Sequence, residues 1–434
     1  MSLIRPERWP LSRRDTPCGP KVPARERLRA RTRGVAAGLA ALVLSFCAAC
    51  QASTGAPSHP VTTPDITAAG PAAALDLPSS VPYNTPVQIG VRDGRLRAVT
   101  VQQAAGTVLP GVVSASGSTW TSTSRPKPGG RYQVVASASR SNGDGTTLHG
   151  SFLVAAVPNR QRLRLTWNPG TGSVVGVGQP IVIHFDQAVT ERAAVERASI
   201  VSASLPVVGA WHWVSPREVH FRPMTYWPAH ATVDARLNFN GVRAGPGLWG
   251  ARDYESRFTI GDKHVTVVNA RAETLTVRDQ GRIVARWPTS LGQPQFATRN
   301  GTYVVLNRTP RLHMTSCSAA IQCTKGAPNY YALWVSWDVR LTDSGTFIHA
   351  APWSVASQGR ANVSHGCINL STPHGEWYYN FSHPGDIVTV INSTRNDRDL
   401  LASADPGMAD WNWTPAQWLA KSAVGTWIAT PGLA

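Results

Sequence analysis

Residues 345–371 read GTFIHAAPWSVASQGRANVSHGCINLS. Apolar residues lead up to His349, a loop of small and polar residues follows, and the chain returns through Ser364-His365-Gly366-Cys367-Ile368-Asn369. A thiol with imidazoles at 349 and 365 holds the ingredients of nucleophilic thiol catalysis. Free Cys ionises near pH ~8.5, so an imidazole in contact is needed to hold it as thiolate at neutral pH.

Geometry separates the two histidines. If Val363 to Leu370 is extended, His365 and Cys367 share one face, yet their Cα atoms lie roughly 6–7 Å apart along the strand, which disfavours a direct contact. The base then comes from elsewhere, and His349, ending Thr346-Phe347-Ile348 on a neighbouring strand, is the candidate. Gly366 leaves room for a substrate carbonyl, and the amides of Gly366 and Cys367 offer an oxyanion hole.

Taken alone, a cysteine near two histidines also fits a buried thiol or a partial zinc site. The longer motif is more specific. His349-Ala350-Ala351-Pro352-Trp353-Ser354 followed by Asn362-Val363-Ser364-His365-Gly366-Cys367-Ile368-Asn369 resembles the signature of the YkuD-type L,D-transpeptidase catalytic domain, most closely in the multidomain enzymes of mycobacteria and related actinobacteria.

The resemblance implies roles. Cys367 matches the nucleophile and His349 the general base that later protonates the leaving group. Ala350 stands where the subgroup commonly has Ser, so its backbone carbonyl is the expected orienter of the ring. Tyr331 and Met314 match flap positions, Ser344 and Trp353 the donor pocket, and Asn369 the polar residue two after the nucleophile. Ser364 and His365 belong to the motif, His365 as a structural residue or hydrogen-bond donor. The implied activity is 3→3 cross-linking of meso-diaminopimelate stem peptides of peptidoglycan through a Cys thioester, with release of D-alanine and with carbapenem β-lactams as covalent inhibitors. No cofactor or metal is implied. A cysteine carboxypeptidase using water on the same stems, and a non-catalytic wall-binding protein, are the alternatives.

Outward from this motif, 434 residues with 15% charged and plentiful Gly (37) and Pro (33) suggest about three mostly β domains of short strands and turns. Residues 1–50 read as an export signal. Ten basic residues up to Arg33 oppose three acidic ones, and an apolar run from Gly34 to Phe46 ends in Cys47-Ala48-Ala49-Cys50. Cys50 is the candidate lipidated residue, which would anchor the protein to the outer face of the membrane; a plain cleaved signal or an uncleaved anchor is the alternative. Removing that +7 from the total of +17 leaves a basic protein suited to an anionic envelope polymer, and no groove-reading motif favours nucleic acid. Cys317 and Cys323 can pair as a disulfide in an oxidising exterior, leaving Cys367 free; no second ligand pair supports zinc there.

Residues 51–78 read as a flexible tether. Alternating runs at Pro86–Val91, Leu96–Gln102, Arg131–Ser137 and Thr147–Val154 suggest an immunoglobulin-like sandwich over 79–159, and Leu163–Trp167, Pro180–Phe185, Glu218–Phe221 and Ala231–Phe239 a second over 160–261, with a short helix over Thr190–Ala198. Trp211, Trp213, Phe221, Tyr226 and Trp227 read as packing rather than a polysaccharide platform. The catalytic domain spans 262–392, with strands at His264–Asn269, Thr274–Asp279 and Arg282–Pro288, and the segment between Tyr303 and Tyr331 reads as a flap. In the extension 393–434, Thr414-Pro415 starts a helix whose tryptophans dock against the preceding domains or stack on carbohydrate.

Overall fold

The computed structural model describes residues 72–104, 106–396, 405–408 and 410–433. The segment read as an export signal, with Cys18, Cys47 and Cys50, and most of the segment read as a tether lie outside the described residues. No helix among those described is long and apolar enough to cross a membrane.

The first module is a sandwich of two four-stranded sheets. One runs in the order Ala74–Asp76, Gln88–Arg92, Thr119–Ser122, Gly111–Val113; the other Ser80–Val81, Gly145–Val154, Arg131–Arg140, Gly94–Gln103. Alternation supplies the inner faces: Tyr132, Val134, Ala136 and Ala138 point inward along one strand and pack with Ile89, Val101, Trp120 and Phe152. Ala74–Asp76 pairs with Gly90–Arg92, so the end of the segment read as a tether is the edge strand of this sheet.

In the second module Trp211, Trp213, Phe221 and Trp227 are all 2–3% exposed in one core with Ile181, Ile183 and Phe258. The predicted helix forms at Arg192–Ala198. This module also receives the C-terminal extension. Ile428–Ala429 adds an edge strand beside Val208–Ser215, and helix Pro415–Leu419 starts with a capping box at Thr414 and Gln417. Trp418 is fully buried, stacked on His212 at 4.3 Å with its Nε1 donating to the Ala210 carbonyl at 3.0 Å. Trp411 donates to the Gly178 carbonyl at 2.7 Å, and the Arg222 guanidinium lies 4.7 Å and 4.4 Å from the Trp411 and Trp418 rings. Fully buried, Trp418 presents no face to a sugar, and docking is what it does.

The catalytic module pairs two sheets over one core. A five-stranded sheet runs Arg282–Pro288, Thr274–Asp279, His264–Asn269, Ile387–Ile391, Gly301–Val304; a four-stranded sheet runs Asn307–Thr315, Ala332–Arg340, Phe347–Ala350, Ile368–Leu370. Val268, Leu275, Val277, Val339, Ile348, Ile368, Leu370, Val388 and Val390 fill the space between. Helix Thr372–Phe381 closes the core with Tyr378, whose hydroxyl lies 3.1 Å from Thr266 Oγ1. It approaches the site strand at Gly375, where a Cβ would fall 3.0 Å from the backbone and Cβ of Ala350.

Two expectations are corrected. The segment between Tyr303 and Tyr331 is not all flap: Asn307–Thr315 pairs along nearly its whole length with Ala332–Arg340, and Met314 is buried against Val335 and Phe347. The loop proper begins at Ser316 and holds the Cys317–Cys323 disulfide. Val363 to Leu370 is not one extended strand. The strand is Ile368–Leu370, and Gly366, at φ 123°, turns the chain ahead of it.

Candidate active site

The parallel pair Phe347–Ala350 and Ile368–Leu370 builds the site. Ile348 faces Ile368 and His349 faces Asn369 in register, so the residue before the second strand, Cys367, arrives beside the first. Four hydrogen bonds fix the turn that presents the thiol. Ser364 Oγ donates to the Cys367 carbonyl at 2.6 Å and accepts from the Gly366 amide at 3.1 Å; Thr298 Oγ1 donates to the Gly366 carbonyl at 2.9 Å; the Ser364 amide donates to Leu291 at 2.9 Å.

Cys367 and His349 open onto one cavity of about 310 Å³, lined also by Met314, Tyr331, Leu333, Val335, Trp353, Ser354, Val363, Ser364, His365 and Asn369. His349 is 4% exposed, and its Nδ1 lies 2.9 Å from the Ala350 carbonyl. A carbonyl only accepts, so Nδ1 carries the proton and Nε2 keeps a free lone pair. The Ala350 backbone thus orients the ring.

The thiol is half-buried and donates to the Gly345 carbonyl at 3.7 Å. Burial pushes its pKa up to about 12; a backbone hydrogen bond from Phe347 pulls the other way, and the charge of Asp338 adds to the rise. Burial lowers His349. Both shifts favour the neutral forms of the two side chains.

Asp338 was not legible as a site residue. It is fully buried, neither carboxylate oxygen has a hydrogen-bond partner, and burial raises its pKa to about 7. It sits in a β-bulge opposite His349, where Ser336 pairs with Ala350 and Val339 with Ile348, and the preceding Trp337 is held at φ 62°. An acid inside the apolar run Ala332–Arg340 was the available signal.

The remaining predicted residues divide. Met314, Tyr331, Trp353, Ser364, His365 and Asn369 share the thiol's cavity. Ser344 does not. It lines a second cavity of about 590 Å³ with Gly345, Gly366, Arg299, Arg395 and the disulfide-loop residues Ala319–Ile321, and His365 borders both. Ser344 and Trp353 therefore line different cavities beside the turn that presents the thiol. His365 is held by rings, 4.9 Å from Phe296 and 5.1 Å from Tyr331, and its buried Nε2 has no protein partner. The Gly366 amide is committed to Ser364, which removes it from the expected oxyanion hole. Asn369 Nδ2 bonds Ser354 Oγ at 3.2 Å, while its buried Oδ1 is left open.

A bacterial Ig domain family model matches residues 78–243 and the L,D-transpeptidase catalytic domain model residues 262–390. L,D-transpeptidase 2 of Mycobacterium tuberculosis is 35% identical over 373 residues, 86% of this chain and 88% of that one. L,D-transpeptidase 5 of the same species is 31% identical over 400 residues, 91% and 84% respectively. Among solved structures, L,D-transpeptidase 3 from M. tuberculosis with a faropenem-derived adduct is 32% identical, with a TM-score of 0.45 over 53% of this chain and 98% of that one.

Proposed function

Because this chain belongs to the L,D-transpeptidase family, we propose that it makes 3→3 cross-links between peptidoglycan stem peptides through a thioester on Cys367. The observation that carries the reading is His349 and Cys367 opening onto one cavity from adjacent parallel strands, with the Ala350 carbonyl leaving Nε2 as the acceptor.

In the donor half, His349 Nε2 takes the thiol proton as Sγ attacks the carbonyl joining the L-centre of meso-diaminopimelate to the terminal D-alanine. The Cys367 amide meets the developing oxyanion, since the Gly366 amide is committed. Collapse breaks the C–N bond, and the imidazolium returns its proton to the departing D-alanine amine. A side-chain amine of a second stem then attacks the thioester, His349 accepts its proton, and the thiol is regenerated. Met314, Tyr331 and Trp353 supply apolar walls. The same thiol opens a carbapenem β-lactam ring by acyl transfer.

The basic, apolar segment up to Cys50 supports export and anchoring at the outer face of the membrane, where the wall polymer lies. Incubation with a disaccharide-tetrapeptide, followed by mass analysis, tests the reading: cross-linked dimer with released D-alanine is expected. D-alanine without dimer would identify the hydrolase, and neither product would leave a wall-binding protein.

A further inference from the structure

His264, His383 and Asp386 meet where the catalytic module abuts the second β-module. One nitrogen of each imidazole and one Asp386 oxygen all lie within 4.8 Å of one another, the one such trio of His, Cys, Asp or Glu groups among the described residues. They line a cavity of about 140 Å³ walled by Val174, Val175 and Gly176 of the second module, with Asp262 also on its lining. None of the three lines either cavity beside Cys367.

A plain ion pair does not account for the cluster. His264 Nδ1 lies 3.0 Å from Asp386 Oδ2, which also accepts from the His383 amide at 2.7 Å. Asp386 Oδ1, on a residue 3% exposed, is buried with no hydrogen-bond partner, and an orphaned carboxylate oxygen is costly unless something positive meets it. The His383 imidazole engages in no hydrogen bond among the described residues. The loop that carries both residues is held in place beforehand: the Gly176 and Gly178 amides donate to Pro384 and Gly385 at 2.8 and 2.9 Å. A Cβ on Gly176 would fall 2.4 Å from Asp386 Oδ1.

We propose that His264, His383 and Asp386 bind one divalent first-row transition metal ion, zinc fitting best, with water completing the coordination. Two imidazoles and a carboxylate suit zinc and argue against calcium and magnesium, which take oxygen ligands. The ion would tie strand His264–Asn269 to the loop preceding strand Ile387–Ile391, at the edge where the second module docks. Its role is to stabilise that junction, not the chemistry at Cys367.

The test uses purified Cys367→Ser protein, so that the nucleophile does not compete for the ion. Zinc titration calorimetry, metal analysis after gel filtration and the melting temperature are compared with Cys367→Ser/His383→Ala. His383 is exposed, so its removal leaves the fold in place. One retained zinc per chain and a raised melting temperature are expected, with affinity weakened roughly tenfold or more by His383→Ala. Cobalt supplied instead should give a visible d–d band that the same substitution removes. No retained zinc, or retention indifferent to His383→Ala, would overturn the proposal.

Discussion

Replacing Asp338 by Asn tests how the fold tolerates an acid whose charge acts on the Cys367 thiol. The carboxyl is fully buried without a partner, and its pKa rises from 3.8 to about 7 in the folded protein. The unfolded chain has lost this proton by pH 5, while the folded chain still holds it. The folded state therefore binds more protons, and stability falls as pH rises between the two pKa values. A shift of that size corresponds to about 4 kcal/mol above pH 7, at ~1.4 kcal/mol per unit. Between pH 5 and pH 8 the wild type should lose about 2–3 kcal/mol from this group alone, a loss that Asp338→Asn lacks. Comparing the two pH values cancels the constant penalty of burying an unpartnered amide. The assay is urea denaturation of both proteins at each pH. The same substitution removes a negative charge that raises Cys367, so alkylation of the thiol by iodoacetamide at pH 8 should quicken. Parallel stability losses in the two proteins, with unchanged alkylation, would refute the reasoning.

Three further outcomes are expected. His349→Gln should lower transpeptidation by roughly 10²–10⁴-fold with the circular dichroism spectrum unchanged, because the general base is lost but the strand is not. Gly375→Ala places a methyl 3.0 Å from the Ala350 backbone, and should both destabilise by about 1–3 kcal/mol in thermal denaturation and reduce kcat by shifting the carbonyl that orients His349. Trp418→Ala empties a fully buried site against His212 and should reduce stability by about 3–5 kcal/mol, with limited proteolysis detecting release of the extension.

How far residue patterns disclosed the molecule depended on what held each element. His264–Asn269, Thr274–Asp279 and Arg282–Pro288 form where alternation and turn residues placed them, since local pattern and burial agree there. Thr119–Ser122 and Gly111–Val113 are short strands that pair with each other, and Thr119–Ser122 joins the sheet by pairing with Gln88–Gly90, about 30 residues earlier in the chain. Asn307–Thr315 looked like loop because of Pro310 and its arginines, yet the hairpin with Ala332–Arg340 recruits it. Helix Thr372–Phe381 was missed: Pro373, Gly375 and four aromatics mask its period, and Tyr378 and Gly375 make sense only against the core. At the site, the motif placed His349 and Cys367 together, and the structure opens both onto one cavity from adjacent strands. The bulge that buries Asp338, the capture of the Gly366 amide by Ser364 and the separation of Ser344 from Trp353 are tertiary facts, and no single segment encodes them.

The most direct measurement is intact-protein mass spectrometry with peptide mapping after brief exposure to a stem tetrapeptide and, in parallel, to a carbapenem. An acyl adduct on the peptide containing Cys367 is expected, absent from Cys367→Ala and formed far more slowly by the His349→Gln variant. An adduct on another residue, or one that forms at wild-type rate without the imidazole, would contradict the account.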